Sequence, residues 1–489
     1  MNTANLQAHG CRRLLVCAAM LLTGTLTQAA EYSHGYYEPG VWTAPSAWVP
    51  LNGAPANTVP GAADTAYVSY GISLSQTPAI TVSIGTLNLD TYISWGPAPD
   101  IDLRGGTLNI MNSGQWQWGG FSDFYASGGT VNLHGTMQLV DDIADHVNNG
   151  STIVNPISHE IQWGTTFNNY GTLEHDSQGA FHLGAGACQY YNHSLHDFTA
   201  DGDITTGGQG GERTTNLGLI RKSGGLGESF IASEFVNQGQ LEVQSGTVKI
   251  DNSLDYEGLW THELNGGKWI ARDNTSLVIS ARGILEINNA HIVLDGANAN
   301  FYTTQTNIYT PLEDSLLDNA GILEIYGNRT FANTLDNSGI LIVGADTTLT
   351  ADLNNLGVMQ VGNSPGHSIV EGDFTQDILG ELAIELGGLT PGDLYDVLEI
   401  TGTATLDGTL DVSYFDSFVA SPGNMFSILQ ASSFTGMFNN VIYPDAQNWF
   451  IDYDIKAGRV AIGIVPEPRS ILLLLLGGLC LIRQRGSIR

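Results

Sequence analysis

The chain has 489 residues, of which 42% are apolar and 13% charged, and it carries 49 acidic against 17 basic residues. This apolar content excludes a disordered chain. The net charge of −32 excludes a nucleic-acid binder, because such proteins need clustered basic residues to contact phosphates. The 60 glycines, with abundant Asn, Thr and Ser, favour many short strands joined by turns over helices.

Residues 1–30 have the three consecutive regions of a secretory signal peptide. Two arginines precede the apolar run Leu14–Leu22, and small residues follow to the end of the segment. A positive start, a short apolar core and a small-residue exit are typical of export signals. We therefore predict cleavage after Ala29 or Ala30 and an exported mature protein.

The body of the chain repeats. Leu317–Ile325 recurs as Leu335–Val343 and again as Leu353–Val361, with a step of 18 residues each time. Each copy combines an Asn-x-Gly corner with an alternating strand, and looser copies lie at 167–173 and 235–243. A period near 20 residues with one strand per copy predicts a solenoid.

Asparagine and glycine suit such a corner, because both tolerate the left-handed backbone conformation. Alternation sends one side chain inward and the next outward, and stacked asparagines can bond to one another as in cross-β ladders. We predict an all-β fold, a right-handed parallel β-helix. A sandwich of hairpins is less favoured, because its two-residue turns place Asn and Gly side by side, whereas here one residue separates them.

We divide the mature chain into three parts. Residues 31–404 are predicted to form the β-helix, with an irregular histidine-rich insertion at 134–210 and aromatic residues closing the first turn. Residues 405–464 are predicted to form closing strands, and 465–489 a sorting signal. The aromatic residues expected to cap the two ends are Trp42, Trp48, Phe415, Phe418, Phe426, Phe434, Phe438, Trp449 and Phe450.

The histidine-rich segment is where a metal would bind if the protein holds one. Cys188 is the only cysteine between the two terminal signals, so no disulfide forms within the mature chain. With His182, His193 and His196 it offers thiolate and imidazole ligands together. No methionine follows at a position for an axial copper ligand, and no pair of histidines has the i, i+4 spacing of a helical zinc site. Histidines on solvated strand faces are therefore the favoured alternative. We predict no cofactor, apart from weak calcium binding at Asp-Gly turns such as Asp201, Asp295 and Asp407.

A polysaccharide-degrading enzyme on the same scaffold is the main alternative function. Such an enzyme needs two or three carboxylates across a cleft, and the candidates are Asp141, Asp142 and Asp145, or Asp201 with Asp203. All lie in Gly- or Asn-rich stretches, where acidic residues more often form turns. The sequence lacks the catalytic-serine, zinc-helix and phosphate-loop motifs, so we predict a protein that is not an enzyme.

Two stretches resemble known families. Gly362–Gly366, Gly372–Thr375 and Tyr395–Ala404 occur in order and are similar to the strand-rich repeats near the end of autotransporter passenger domains. His367 and Ser368 depart from that pattern, which usually has small or β-branched residues there. The resemblance implies a parallel β-helix.

At the C-terminus, Pro466, Glu467 and Pro468 are followed by the apolar run Ile471–Ile482 and then by an arginine-rich end. This order resembles the PEP-CTERM sorting signal. The resemblance implies a Gram-negative bacterium in which an exosortase, a membrane protease, recognises the Pro-Glu-Pro motif. An ordinary C-terminal membrane anchor is the alternative.

These observations together predict an exported structural or adhesive protein of the cell surface or extracellular matrix. We expect it to associate with exopolysaccharide or other envelope components, to contact the membrane only through its C-terminal segment before processing, and not to bind nucleic acid. A metal-binding surface protein is a third, less favoured class.

Overall fold

Strands dominate the computed structural model of the chain. The structure describes residues 31–34, 40–41, 45, 48–51, 58–62, 64–68, 72–73, 81–84, 86–90, 100–102, 107–111, 115–119, 125–134, 136–140, 159–176, 178–184, 186–208, 210–250, 262–280, 283–305, 308–362 and 365–466. The predicted signal peptide with Ala29 and Ala30, and the tail from Glu467 onward, lie outside these residues.

The described strands are short and follow one another along the whole chain. The first group is β1 (Glu31–His34), β2 (Gly40–Val41), β3 (Trp48–Leu51), β4 (Thr65–Val68), β5 (Ile72–Ser73), β6 (Thr81–Ile84), β7 (Thr86–Asp90), β8 (Asp100–Asp102), β9 (Thr107–Ile110), β10 (Gln115–Gly119), β11 (Tyr125–Leu133) and β12 (Thr136–Val140). The second group is β13 (His159–Asn169), β14 (Thr172–Asp176), β15 (Ala180–Leu183), β16 (Gln189–Asn192), β17 (Leu195–Phe198), β18 (Asp203–Thr206), β19 (Arg213–Asn216), β20 (Leu219–Lys222), β21 (Glu228–Ile231), β22 (Glu234–Asn237), β23 (Gln240–Val243) and β24 (Thr247–Ile250).

The remaining elements include one short helix. The third group is β25 (Glu263–Arg272), β26 (Ser276–Ser280), β27 (Ile287–Asp295), β28 (Asn300–Gln305), β29 (Ile308–Pro311) and α1 (Leu312–Ser315). The last group is β30 (Asp318–Asn319), β31 (Ile322–Tyr326), β32 (Arg329–Thr330), β33 (Leu335–Asn337), β34 (Ile340–Val343), β35 (Thr347–Thr350), β36 (Leu353–Asn355), β37 (Val358–Val361), β38 (His367–Glu371), β39 (Phe374–Gln376), β40 (Glu381–Leu386), β41 (Val397–Leu406), β42 (Thr409–Tyr414), β43 (Met425–Gly436), β44 (Asn440–Ile442), β45 (Trp449–Asp454) and β46 (Arg459–Ile464).

The fold is all-β, and its strands pair mainly in parallel. Within the described residues the strands form two sheets, one of 29 strands and a second that ends at the β28–β29 hairpin. The described antiparallel pairs are that hairpin, β1–β3, and the β43–β46 and β45–β46 pairs at the C-terminal end. The other described strands pair in parallel with strands that lie about one repeat earlier or later in the chain. We call each repeat in this stack a rung.

In residues 317–361, the 18-residue repeat of the sequence sets the pairing: residues 18 positions apart are partners in neighbouring rungs. Ile322 pairs with Ile340, and Ile340 pairs with Val358. Burial alternates along the strands, as in β34, where Leu341 and Val343 are fully or almost fully buried and the residues between them face outward. The prediction of alternating strands with this step is therefore confirmed.

Buried asparagines form two ladders at the corners between strands. In the ladder nearer the C-terminus, which we call the second, Asn319 Nδ2 donates to Asn337 Oδ1 and Asn337 Nδ2 donates to Asn355 Oδ1, each at 2.8 Å. Each Nδ2 also donates to a main-chain carbonyl of the next rung, as Asn337 does to Val358 at 2.9 Å. The full members are Asn169, Asn192, Asn216 and Asn237 in the first ladder, and Asn288, Asn319, Asn337, Asn355 and Gln376 in the second. The predicted stacking of corner asparagines is confirmed.

The glycine of each Asn-x-Gly corner is required for a reason other than the one predicted. Gly339 does not have a positive φ. A Cβ at Gly339 would instead lie 2.1 Å from the carbonyl oxygen of Gly321, and one at Gly357 equally close to that of Gly339. Close approach of successive corners therefore excludes a side chain there.

Replacing Asn337 by alanine is expected to lower the free energy of unfolding by about 1–3 kcal/mol, because it removes bonds to two buried neighbours. Asn354→Ala is the matched control, since its outward side chain donates only to Asp336, at 2.8 Å. Urea unfolding of the two variants measures the difference. An equal loss in both would show that the ladder adds nothing beyond a surface bond.

The predicted irregular insertion at 134–210 needs correction. Its described part consists of parallel strands: β14 pairs with β12 and β17, and β16 with β13 and β19. One irregularity is present, a register shift between β11 and β13. The repeat is hard to recognise there because the step is longer, 23 residues from Asn169 to Asn192, and because histidines replace aliphatic residues at inward positions.

Candidate functional site

The four candidate metal ligands of the histidine-rich rungs point in different directions. His182 faces outward and its Nδ1 lies 2.8 Å from Thr205 Oγ1. Cys188 is buried, with its Sγ donating to the carbonyl of Ile161 at 3.3 Å. His193 lies at a corner and stacks on Tyr170 with ring centroids 4.4 Å apart. In the part of the chain that the structure describes, no three His, Cys, Asp or Glu side chains are grouped as a metal site requires.

The fourth candidate, His196, forms a buried pair with His175, a residue that sequence reasoning did not single out. The two rings stack with centroids 5.7 Å apart, and both side chains are fully buried. His196 Nδ1 lies 3.0 Å from the Tyr190 hydroxyl, and His175 Nε2 lies 2.9 Å from the carbonyl of Gly179. Among the described residues, neither His175 Nδ1 nor His196 Nε2 has a hydrogen-bond partner.

Burial holds this pair in its neutral form. Burial, partly offset by the hydrogen bond to Gly179 and reinforced by the charge of Lys222, lowers the pKa of His175 to about 4. Burial and the neighbouring His175 lower the pKa of His196 well below its ordinary value. Burial also raises the pKa of Tyr190. These groups therefore do not act as acids or bases near neutral pH.

A buried lysine and its aspartate lie one rung further on. Lys222 is fully buried, and its Nζ donates to Asp201 Oδ1 at 2.7 Å, to Ser229 Oγ at 3.0 Å and to the carbonyl of Ala200 at 3.1 Å. All three donors of the ammonium group are thus used, and the lysine stabilises the rung stack.

The aspartates considered for catalysis or calcium binding contact protein groups. Asp201 holds Lys222, and Asp203 Oδ1 accepts the main-chain N–H of Phe230 at 2.7 Å. Asp295 pairs with Arg272, and Asp407 Oδ1 accepts the N–H of Gly408 at 2.7 Å. Asp141, Asp142 and Asp145 lie outside the described residues.

Charged side chains on the outside of the first sheet form a network across several rungs. Arg272 contacts Glu242 at 2.7 Å and also contacts Asp295. The Glu324 carboxylate accepts one hydrogen bond from His291 and another from the Tyr326 hydroxyl. The His291 bond is the largest cause that lowers the pKa of Glu324 to about 2. The network pairs carboxylates with basic residues of neighbouring rungs.

The C-terminal end is closed by aromatic residues around Asp445. Its carboxylate accepts from the Tyr414 hydroxyl at 2.8 Å and from Trp449 Nε1 at 2.7 Å. Of the aromatic residues predicted to cap the ends, Trp48, Phe426, Phe434 and Phe438 are buried, whereas Phe415 is 37% exposed. Trp42 lies outside the described residues.

Comparison with known proteins gives no family: no protein-family model matches the chain, and no curated protein matches it by sequence. The helix described here, α1, has four residues. Among the described residues, then, no helix has the length and apolarity needed to cross a membrane.

Proposed function

We propose that the chain is an exported right-handed parallel β-helix with a structural or adhesive role at the cell surface or in the extracellular matrix, beside exopolysaccharide. A PEP-CTERM tail would direct it there, with an exosortase as the processing partner. The observation that carries this proposal is where the motif begins. β46 ends at Ile464, and Val465 and Pro466 are exposed directly after it. Pro466, the first residue of the motif, is therefore exposed directly after the last described strand, as recognition by a membrane protease would require.

The pairing pattern supports the solenoid. Successive rungs pair in parallel after steps of 18 to 36 residues, and two ladders of buried amides run along the stack. Apart from the β28–β29 hairpin, the described antiparallel pairs lie at the two ends of the described chain, where a solenoid needs caps. The β1–β3 pair lies at one end and the β43–β46–β45 group at the other.

The use of buried polar groups supports a structural role. The ladder amides, Lys222 with Asp201, and Thr214 with Ser233 all bond across neighbouring rungs. Bonds of this kind rigidify a stack. The same side chains are then committed to stability rather than to a substrate.

Intact-mass measurement of the protein from membrane, surface and medium fractions of the source cell tests the sorting. We expect the wild type in the surface or medium fraction, with a mass ending near Pro468. The Pro466→Ala/Pro468→Ala variant should keep its tail and stay in the membrane fraction. Pro391→Ala, a change in an exposed loop, should behave as the wild type. A wild-type protein that retains Ile471–Arg489 and occurs only in membranes would show an ordinary anchor.

A further inference from the structure

We propose that one uncharged outer face of the second sheet, formed by residues 107–110 of β9, 130–133 of β11, 166–169 of β13 and 189–192 of β16 with the corners that follow them, binds a neutral polysaccharide. The inference rests on the proposed function and names the class of polymer that this protein would hold. We call this surface the neutral face.

Two columns of hydroxyl and amide groups run across the neutral face. Thr107, Thr130 and Thr166 are register partners in successive rungs. The residues two positions later, Asn109, Asn132 and Asn168, form a second column beside the first. The side chains of both columns face outward. Hydroxyl and amide groups supply both donors and acceptors, which is the chemistry that sugar hydroxyls require.

The asparagines of the second column are fixed by one another. Asn132 Nδ2 donates to Asn109 Oδ1 at 2.8 Å, and Asn168 Nδ2 donates to Asn132 Oδ1 at 2.9 Å. Tyr191 takes the next place in this column. A row of amides held in one orientation repeats at the spacing of the rungs, about 4.8 Å.

A third column consists of stacked rings at the corner. His134 stacks on Tyr170 with centroids 5.3 Å apart and an interplanar angle of 11°, and Tyr170 stacks on His193 at 4.4 Å and 17°. Stacking covers the faces of the rings and leaves their edges, which carry the phenol hydroxyl and the imidazole nitrogens. Tyr170 is 45% exposed. The ring column therefore adds polar edges to the hydroxyl and amide columns.

The charge of this surface selects the partner. The threonine, asparagine and ring columns described above contain no Asp, Glu, Lys or Arg, whereas the chain as a whole has a net charge of −32. Burial lowers the pKa of His193, which favours its uncharged form. A neutral polymer can cover this face without desolvating a charge, while the acidic remainder of the protein repels an anionic one. The four rungs span about 14 Å, which suits a short stretch of an extended chain.

Affinity gel electrophoresis of the mature protein tests the proposal, with hydroxyethyl cellulose as the neutral polymer and alginate as the anionic one. We expect retardation by hydroxyethyl cellulose that does not change with salt, and at least a tenfold loss of affinity in Tyr170→Ala/Tyr191→Ala. Tyr309→Ala is the matched control, since Tyr309 is 48% exposed on β29, and it should bind normally. Thr130→Val/Thr166→Val removes two hydroxyls while keeping β-branched side chains, and it should weaken binding in a protein that still folds.

Each outcome decides the matter. Binding that persists unchanged in both double variants would overturn the neutral face but leave the association with polysaccharide intact. Preference for alginate, or no binding to either polymer, would overturn the inference as well. Surface sorting is measured separately by intact mass, so its failure is distinguishable from failure of the neutral face.

Discussion

Replacing Arg329 by methionine is expected to lower the free energy of unfolding by about 3–5 kcal/mol, the usual cost of leaving one partner of a buried ion pair alone. The Arg329 and Glu313 side chains are 6% and 13% exposed, and Arg329 Nη1 donates to Glu313 Oε1 at 2.8 Å. Arg329 Nη2 also donates to the carbonyl of Gly296. Without the guanidinium, the Glu313 carboxylate would remain buried without its cation.

This pair matters because of its position. Glu313 lies in α1, directly after the β28–β29 hairpin with which the second sheet ends. Arg329 lies in β32, which pairs with β35 of the next rung after a step of 20 residues. The pair therefore joins the two parts of the stack where the sheet pattern changes.

Two further variants make the prediction specific. Adding Glu313→Leu to Arg329→Met should recover most of the lost stability, because no unpaired charge remains. Arg459→Met removes a surface pair whose atoms are 3.9 Å apart and whose side chains are 39% and 49% exposed, and it should cost less than about 1 kcal/mol. Urea unfolding of the four proteins provides the comparison. A loss in Arg329→Met no larger than that in Arg459→Met would show that the pair is not needed.

Acid is expected to weaken the rungs around His175. Its pKa is about 4 in the folded protein against 6.5 when unfolded, so the unfolded state binds more protons between these values. Stability from this group is fully present above about pH 6.5 and falls as the pH drops toward 4. The difference corresponds to about 3 kcal/mol. His196, whose pKa is also lowered by burial, acts in the same direction.

The groups that face His175 are His196, Phe198, Lys222 and the Gly179 carbonyl. Asp396 lies elsewhere and acts in the opposite direction, because burial raises its pKa to about 7. The test therefore compares variants rather than reading the wild-type profile alone.

His175→Leu should be less stable than the wild type at pH 7, since it loses the bond to Gly179, and should gain relative to the wild type as the pH falls to 4.5. Phe198→Leu, an uncharged change beside both imidazoles, should cost the same at each pH. Urea unfolding between pH 4.5 and 7.5 gives both slopes. Parallel curves for the wild type and His175→Leu would show that His175 does not control acid stability.

The local sequence carried most of the information about the fold. The Asn-x-Gly corners, the 18-residue step and the alternation at residues 317–361 predicted stacked strands with asparagine ladders, because one rung follows another with nearly the same residues. From 159 to 210 the same register was missed. The steps between rungs are longer there. Inward positions such as His175 and His196 also carry polar rings, whereas inward positions are recognised in a sequence by apolar residues.

The candidate site was less predictable. Spacing in the sequence suggested that His182, Cys188, His193 and His196 come together. In the rungs, alternate residues point to opposite faces and corner residues point away from both, so the four side chains separate. The neutral face had a sequence signal that was not used: the Thr-x-Asn of β9, β11 and β13 recurs at register positions.

The sequence by itself determined the strand content, the repeat and the amide ladders, since these depend on local propensity and on a periodic pattern that neighbouring rungs share. It also carries the export and sorting predictions, which depend on segments outside the described residues. Only the tertiary structure decided that Arg329 reaches Glu313, that His175 stacks on His196, and that three uncharged columns align on one outer face. Those contacts join residues 16 to 36 positions apart, and the varying step between rungs, which sequence spacing does not reveal, sets which of them meet.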